Sequence, residues 1–191
     1  DDANAGSFTL EIPAAARVRK HTAQKQNWYD YTYWSSPVTN ATVESVLSMA
    51  SPSRRFYFEA ANYEDTNGDD VDDNGDDWQL ATGRMIPGVG YASTSNNSGT
   101  FPRIDTTVFN GEFNTGNISV TIHTNDIETD NDWNFIGNPY ASAIDFKLVH
   151  IQNSDVISGA AYLWSQASPP LASNPGNQVL NFNRNDYAII T

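Results

Sequence analysis

The sequence predicts an all-β fold: a β-sandwich of jelly-roll or immunoglobulin-like type, with one or two short helices and a long acidic calcium-binding loop. About ten short segments rich in aromatic and β-branched residues alternate with turn residues. Lysine and arginine together number 10 of 191 residues, while aromatic residues make up 12%, a composition typical of extracellular β-proteins. Cysteine is absent, which excludes disulfides and thiolate metal sites.

The strand predictions follow from alternation between apolar and polar residues, ended by proline, glycine or asparagine. They cover residues 7–12, 28–34, 54–60, 78–81, 104–109, 118–122, 133–137, 161–164, 179–182 and 187–190. We assign residues 1–20 to an N-terminal lead-in strand and tail. Residues 21–191 form a single β-sandwich module, which we expect to continue beyond residue 191 because the chain ends inside an apolar strand.

Two short helices are expected between these strands. Residues 40–48 place Val43, Val46 and Leu47 on one face, and threonines before them can cap the first turn. Residues 143–151 place Ile144, Leu148 and Ile151 on one face.

Residues 65–77, here called the acidic loop, read Asp-Thr-Asn-Gly-Asp-Asp-Val-Asp-Asp-Asn-Gly-Asp-Asp and carry seven carboxylates without a basic residue. Such a loop either stays solvated or is neutralised by a cation. Carboxylate and amide oxygens at alternate positions are hard ligands of the kind that Ca²⁺ prefers. The candidate ligands are Asp65, Asn67, Asp69, Asp70, Val71, Asp72, Asp73, Asn74 and Asp76.

Two registers can be compared with the EF-hand type of calcium loop. A loop beginning at Asp65 supplies every oxygen ligand but places Asp70 where the turn glycine is expected. A loop beginning at Asp70 places Gly75 correctly but has Ala81 at its last ligand position. The stretch also resembles the calcium loops of thrombospondin type 3 repeats, in which adjacent half-loops share ions. We see no internal repeat of fixed period in the chain. A second acidic turn at residues 126–132 could complete a cation site.

Charge excludes several kinds of partner. A net charge of −13 argues against nucleic acid and anionic membranes, which need a basic surface. No apolar run reaches the roughly 20 residues that span a bilayer. The only basic neighbourhood comprises Arg17, Arg19, Lys20 and Lys25.

Catalytic motifs are not evident, so we predict a non-catalytic protein. His21, His123 and His150 follow no metal-ligand spacing, and no nucleophile elbow or phosphate loop occurs. One alternative is a carbohydrate-binding module of a secreted polysaccharide-degrading enzyme, because residues 28–34 and Tyr91 offer aromatic faces to a surface glycan. Another is a subunit of a surface assembly, in which the strand near 187–191 pairs with another protein chain.

Six motifs in order carry a family resemblance. They are Tyr-Thr-Tyr-Trp-Ser-Ser-Pro-Val at 31–38, Met-Ile-Pro-Gly-Val-Gly-Tyr at 85–91, Phe-Asn-Gly at 109–111, Trp-Asn-Phe-Ile-Gly-Asn-Pro-Tyr at 133–140, Ala-Tyr-Leu-Trp at 161–164 and Asn-Asp-Tyr-Ala at 185–188. Together they resemble a β-rich module near the C-terminus of large surface and secreted proteins of the Bacteroidota.

This resemblance implies export by type IX secretion, a cell-surface or extracellular location and an adhesin-like role. It spans roughly residues 28–191 and does not extend to the acidic loop, which is shorter in many relatives. The calcium prediction therefore depends on the chemistry of residues 65–77 alone.

Overall fold

The structure, a computed structural model, describes residues 15–124, 132–176 and 178–191. The predicted all-β fold is confirmed: strands in antiparallel sheets dominate, with two short helices. The elements are β1 (Ala16–His21), β2 (Thr32–Trp34), α1 (Val43–Val46), β3 (Arg55–Phe58), β4 (Trp78–Leu80), β5 (Tyr91–Ser93), β6 (Thr106–Gly111), α2 (Phe146–Gln152), β7 (Ala161–Trp164) and β8 (Tyr187–Ile190).

The strands form three small antiparallel sheets. The central one has four strands in the order β2-β5-β3-β4, so β4 lies at its edge and the acidic loop connects its two neighbouring strands β3 and β4. Strands β1 and β6 form a two-stranded sheet, and β7 and β8 form a second two-stranded sheet, here called the C-terminal ribbon. The predicted sandwich arrangement stays a prediction.

The core lies between α1, β6 and the central sheet. Phe109, Leu47 and Met85 are fully buried, and Trp34 and Tyr91 pack into the same cluster. These side chains come from elements far apart in the sequence, so the core fixes the β1–β6 sheet and the central sheet against each other.

Helix α1 forms where the sequence predicts it, although it is shorter than residues 40–48. Thr42 is its N-cap and accepts a hydrogen bond from the Ser45 amide at 3.4 Å. The carboxylate of Glu44 accepts the Gly83 amide at 2.8 Å, which fixes the helix to the segment after β4. The predicted face is buried, since Val43 and Val46 are 0% and 1% exposed.

Helix α2 forms near the position that the sequence predicts. Its N-cap Asp145 accepts the Lys147 amide at 3.0 Å. Its apolar face is exposed, since Ile144, Leu148 and Ile151 are 45%, 57% and 59% exposed. Burial of an amphipathic face requires a neighbouring apolar surface, and the described residues do not cover this face of α2.

Four predicted strands are not formed as expected, and the first two are residues 28–34 and 118–122. Of residues 28–34 only Thr32–Trp34 is a strand, because the Asp30 carboxylate accepts the amides of Gln26 and Asn27 at 2.7 and 2.9 Å and holds a turn there. Residues 118–122 keep the predicted alternation of burial but pair with no strand in the described part of the chain. Val120 instead packs against Gly88, where an added Cβ would lie 2.5 Å from its Cγ2.

Residues 133–137 and 179–182 supply isolated bridges only, at Ile136 and Asn181. The predicted strand at 7–12 lies outside the described residues, as does the acidic turn at 126–132 except for Asp132.

The basic neighbourhood of the sequence is divided by the fold. Arg17 and Arg19 lie on the exposed face of β1, whereas Lys25 is 4% exposed. Burial lowers the pKa of Lys25 to about 8, and its ammonium group donates to the Asp30 carbonyl at 2.8 Å. These side chains therefore do not form one basic surface.

Candidate functional site

The acidic loop is closed at its base by contacts between its two ends. The Glu59 amide donates to the Asp77 carbonyl at 2.7 Å, continuing the β3–β4 ladder, and the Asp73 amide donates to the Glu64 carbonyl at 2.7 Å. The Phe58 and Trp78 rings pack edge to face with centroids 5.3 Å apart. The loop is thus attached to the edge of the central sheet by both of its ends.

Asp65 is the most buried carboxylate of the loop, with 0% of its surface exposed. Its Oδ1 accepts the amides of Gly68 and Asp69 at 2.7 and 3.2 Å, and its Oδ2 accepts the amide of Asp70 at 2.8 Å. One side chain therefore folds five consecutive residues around itself.

Asp72 repeats this arrangement seven residues later. It is 4% exposed, its Oδ1 accepts the Glu64 amide at 3.0 Å, and its Oδ2 accepts the Gly75 amide. In each half of the loop the buried aspartate accepts the amide of the glycine three positions on, and Gly68 and Gly75 have φ of 74° and 76°. Positive φ is the conformation that glycine adopts without steric cost.

The expectation that the chain holds no repeat of fixed period is therefore wrong. Residues 65–71 and 72–78 are a tandem seven-residue repeat of the form Asp-x-Asn-Gly-Asp-Asp-x. Aligning the loop with itself at a spacing of seven would have found it in the sequence. What the sequence alone does not show is that the first aspartate of each copy is buried.

The backbone conformation of Asp70 explains how this residue can stand where the EF-hand pattern has a turn glycine. In the register beginning at Asp65 this residue replaces the turn glycine, and the structure gives it φ of 61°. Aspartate is among the few residues that tolerate left-handed backbone. The backbone bend that the calcium loop requires at this position is therefore present without glycine.

The candidate ligands divide into two groups. Asp65 and Asp72 are buried and turned towards backbone amides, whereas most of the others are exposed and Val71 is half-buried. Asp73 accepts the amide and hydroxyl of Thr66 at 2.9 and 2.5 Å, and these hydrogen bonds lower its pKa. The exposed candidate ligands are Asn67, Asp69, Asp70, Asp73, Asn74 and Asp76.

In the conformation of this structure the carboxylates do not converge. Within residues 15–124, 132–176 and 178–191, no three His, Asp or Glu side chains stand close enough together to hold a metal ion. Coordination by the acidic loop would require the exposed carboxylates of Asp69, Asp73 and Asp76 to turn towards a common point.

Asp77 links the acidic loop to the aromatic interior. Burial, together with the nearby Asp72 carboxylate, raises the pKa of its carboxyl to about 6. Burial and, as a smaller effect, the Asp77 carboxylate raise the pKa of Tyr187 in β8, whose hydroxyl lies 2.9 Å from the hydroxyl of Tyr33. The charge of the last loop residue therefore acts on the C-terminal ribbon.

A continuous set of aromatic ring contacts connects the central sheet to the C-terminal ribbon. Tyr33 contacts Phe135, Trp164 and Trp78, with centroids 4.5, 6.1 and 6.2 Å apart, and Trp164 contacts Tyr187 at 5.1 Å. Ring contacts across β2, β4, β7 and β8 hold the ribbon against the central sheet.

Arg184 provides a basic contact between the two regions. It lies in the 3₁₀ turn Arg184–Asp186 that leads into β8, and its Nη1 donates to the Asp69 carbonyl at 2.5 Å. The same nitrogen lies 3.5 Å from the Asp70 carboxylate. The sequence analysis missed this residue, because 114 positions separate it from Asp70.

The aromatic residues behind the carbohydrate alternative are mostly enclosed. Tyr91 and Trp34 are 4% and 6% exposed, and Tyr91 is occupied as acceptor of the Ile86 amide at 2.8 Å. Trp28 packs edge to face on Tyr29 and carries the Arg54 guanidinium 5.4 Å from its ring centroid.

The three histidines lie on separate elements: His21 on β1, His150 on α2, and His123 in the segment after residues 118–122. His21 shares a hydrogen bond with Thr106 at 2.9 Å.

One family model matches the chain over residues 10–191, and it is described as a domain of unknown function, DUF8693. The chain belongs to this family. The match covers the central sheet, the acidic loop and the C-terminal ribbon, so DUF8693 includes every element described above. No curated protein and no solved structure matched the chain.

Membership of DUF8693 assigns no activity, ligand or location. Among the described residues no helix is long and apolar enough to cross a membrane.

Proposed function

We propose that this chain is a non-catalytic structural or adhesive module of an extracellular protein, at the cell surface or secreted, which binds Ca²⁺ in its acidic loop. The ion would neutralise carboxylates that now repel one another and fix the loop to the edge of the central sheet. With no cysteine in the chain, a bound ion is a means of rigidifying such a module outside the cell. The location and the adhesive role rest on the resemblance to type IX secretion proteins.

The observation that carries the calcium proposal is the tandem turn. Asp65 and Asp72 hold the backbone of the two half-loops, and Gly68, Asp70 and Gly75 supply left-handed residues where the chain bends. This leaves the carboxylates of Asp69, Asp70, Asp73 and Asp76 at the surface. The oxygens offered to the ion are those of Asp69, Asp73 and Asp76, the amides of Asn67 and Asn74, and the carbonyl of Val71.

Calcium should raise the melting temperature of the protein in proportion to the logarithm of its concentration. At about 100 times Kd the stabilisation is about 2.7 kcal/mol, which corresponds to about 5–10 °C for a chain of this size. The measurement is a calorimetric melting curve in EDTA and in increasing CaCl₂, with MgCl₂ as the control ion.

Asp69→Asn and Asp76→Asn should reduce the calcium shift without changing the melting curve in EDTA, because both side chains are exposed. Asp155→Asn, an exposed carboxylate beyond α2, is the matched control and should keep the full shift. A melting curve that is the same in EDTA and in millimolar calcium would refute the calcium proposal.

A second candidate function is self-assembly through the C-terminal ribbon. Leu163 and Ile189 are 51% and 61% exposed on β7 and β8. Residues 144–191 carry three acidic and two basic residues, so this apolar surface contributes only −1 to the net charge of −13. A second copy could therefore approach here without the charge repulsion that opposes contact elsewhere.

Sedimentation velocity should then show association of the wild type at concentrations above about 100 μM, where weak interfaces form. Ile189→Lys should abolish it. Ile86→Lys, which introduces the same charge at a 59% exposed residue outside the ribbon, should not. A wild type that stays monomeric at these concentrations would exclude this function.

A further inference from the structure

Arg184 lies against the acidic loop, where its positive charge would repel an external cation bound there. Its guanidinium contacts the Asp69 carbonyl and the Asp70 carboxylate. The other ion pair seen in the described residues, Arg103 with Asp105, lies outside the loop. Arg184 thus brings a basic side chain into contact with the acidic loop.

We propose that Arg184 is the internal counter-cation of the acidic loop, which holds the C-terminal ribbon to the loop and competes with an external cation. This inference rests on the proposed calcium site for its competitive part. Its other part, the attachment of the ribbon, stands on the contacts of Arg184 alone.

Competition follows from either ligand register. If the loop begins at Asp70, the carboxylate that Arg184 contacts is itself the first ligand, so the guanidinium and the ion share an oxygen. If the loop begins at Asp65, Asp70 is not a ligand. The Arg184 guanidinium beside Asp70 still repels a divalent ion bound a few ångströms away. In both registers, removal of the guanidinium favours the external cation.

Attachment follows from where Arg184 lies in the chain. It lies three residues before the start of β8, and the Asp186 carbonyl accepts the Ser165 amide at 2.9 Å, which closes the ribbon beside it. The hydroxyl groups of Tyr33 and Tyr187 form another polar contact between the ribbon and the central sheet. Loss of the Arg184 contact therefore loosens the end of the ribbon nearest to the acidic loop.

The test uses the full chain with Arg184→Gln, Arg184→Lys and the control Arg84→Gln, which removes an exposed arginine that forms no ion pair in the described residues. Calcium affinity is measured by isothermal titration. Arg184→Gln should bind calcium about three to ten times more tightly than the wild type. Arg184→Lys should stay within about twofold, since it keeps the charge, and so should Arg84→Gln.

Hydrogen exchange in EDTA is the second readout. Amides of Tyr187–Ile190 should exchange faster in Arg184→Gln than in the wild type, while those of β6 should not change. If calcium affinity is unchanged in Arg184→Gln, the competition is wrong. If exchange in the ribbon is unchanged, the attachment is wrong.

The two failures can be told apart from failure of the calcium site itself. A protein in which no variant binds calcium refutes the proposed function and the competition together. The exchange experiment in EDTA still decides whether Arg184 attaches the ribbon, because it needs no ion.

Discussion

Replacing Asp65 with alanine should lower the free energy of unfolding by about 3 kcal/mol, measured by urea denaturation in EDTA. The carboxylate is fully buried and accepts three backbone amides, each of which would lose its partner. A hydrogen bond to a charged group contributes about 1.5–3 kcal/mol, and water can satisfy some of the freed amides once the loop opens.

Asp65→Asn should lie between the wild type and alanine. The asparagine oxygen can replace Oδ1, which serves the amides of Gly68 and Asp69, but its NH₂ group cannot accept the Asp70 amide that now bonds to Oδ2. Asp76→Ala, at an exposed carboxylate of the same loop, is the control and should change stability by no more than about 0.5 kcal/mol. Equal effects of Asp65→Ala and Asp76→Ala would show that Asp65 does not organise the loop.

Phe109→Ala should destabilise the protein by about 3–5 kcal/mol, the usual cost of removing a fully buried phenylalanine. The ring is 0% exposed and lies where β6 packs against α1 and the central sheet. Since a domain is stable by only about 5–15 kcal/mol, this change should remove a large part of the total.

The matched control for Phe109→Ala is Leu163→Ala, which truncates an apolar side chain that is 51% exposed on β7. It should cost less than about 1 kcal/mol in the monomer, measured at a protein concentration too low for association. Similar losses for the two variants would mean that the ribbon is covered in solution. A loss below about 1 kcal/mol for Phe109→Ala would contradict the core described here.

Local patterns account for the parts of the fold that sequence could predict. Helix α1 has its cap in Thr42 and its buried face in Val43 and Val46, all within five residues. The acidic loop was predicted between two strands, and β3 and β4 do flank it. Alternation and turn residues sufficed for these elements because the interactions that decide them are close in sequence.

Contacts between residues far apart in the sequence account for the features that the sequence did not predict. The turn at residues 26–30 is held from afar, since the Gln166 side chain donates to Asp30 at 2.7 Å and accepts the Tyr31 amide at 2.7 Å. Arg184 meets the acidic loop across 114 positions. Whether α2 buries its apolar face depends on what lies beside it. None of these facts leaves a periodic pattern in the chain.

In the candidate site, sequence could name the oxygen atoms but not their directions. The same residue type serves as a buried acceptor at Asp65 and Asp72 and as an exposed carboxylate at Asp69 and Asp76. Backbone geometry makes this division, because a side chain that accepts the amide three positions on must turn into the loop. Only the seven-residue spacing distinguishes the two kinds of aspartate in the sequence.

The position of the acidic loop also bears on aggregation. Strand β4 lies at the edge of the central sheet. The Glu59 amide donates to the Asp77 carbonyl and the Ala81 amide donates to the Arg55 carbonyl, so the backbone N–H and C=O groups of Trp78 and Leu80 face away from β3. An open edge of this kind is a template on which foreign strands can grow. Here the Trp78 amide is already bonded to the Asp77 carboxylate at 2.7 Å, directly after a run of negative charge. The acidic loop therefore opposes strand addition at this edge in two ways: its negative charge repels acidic chains while no ion is bound, and the bonded Trp78 amide offers no free donor.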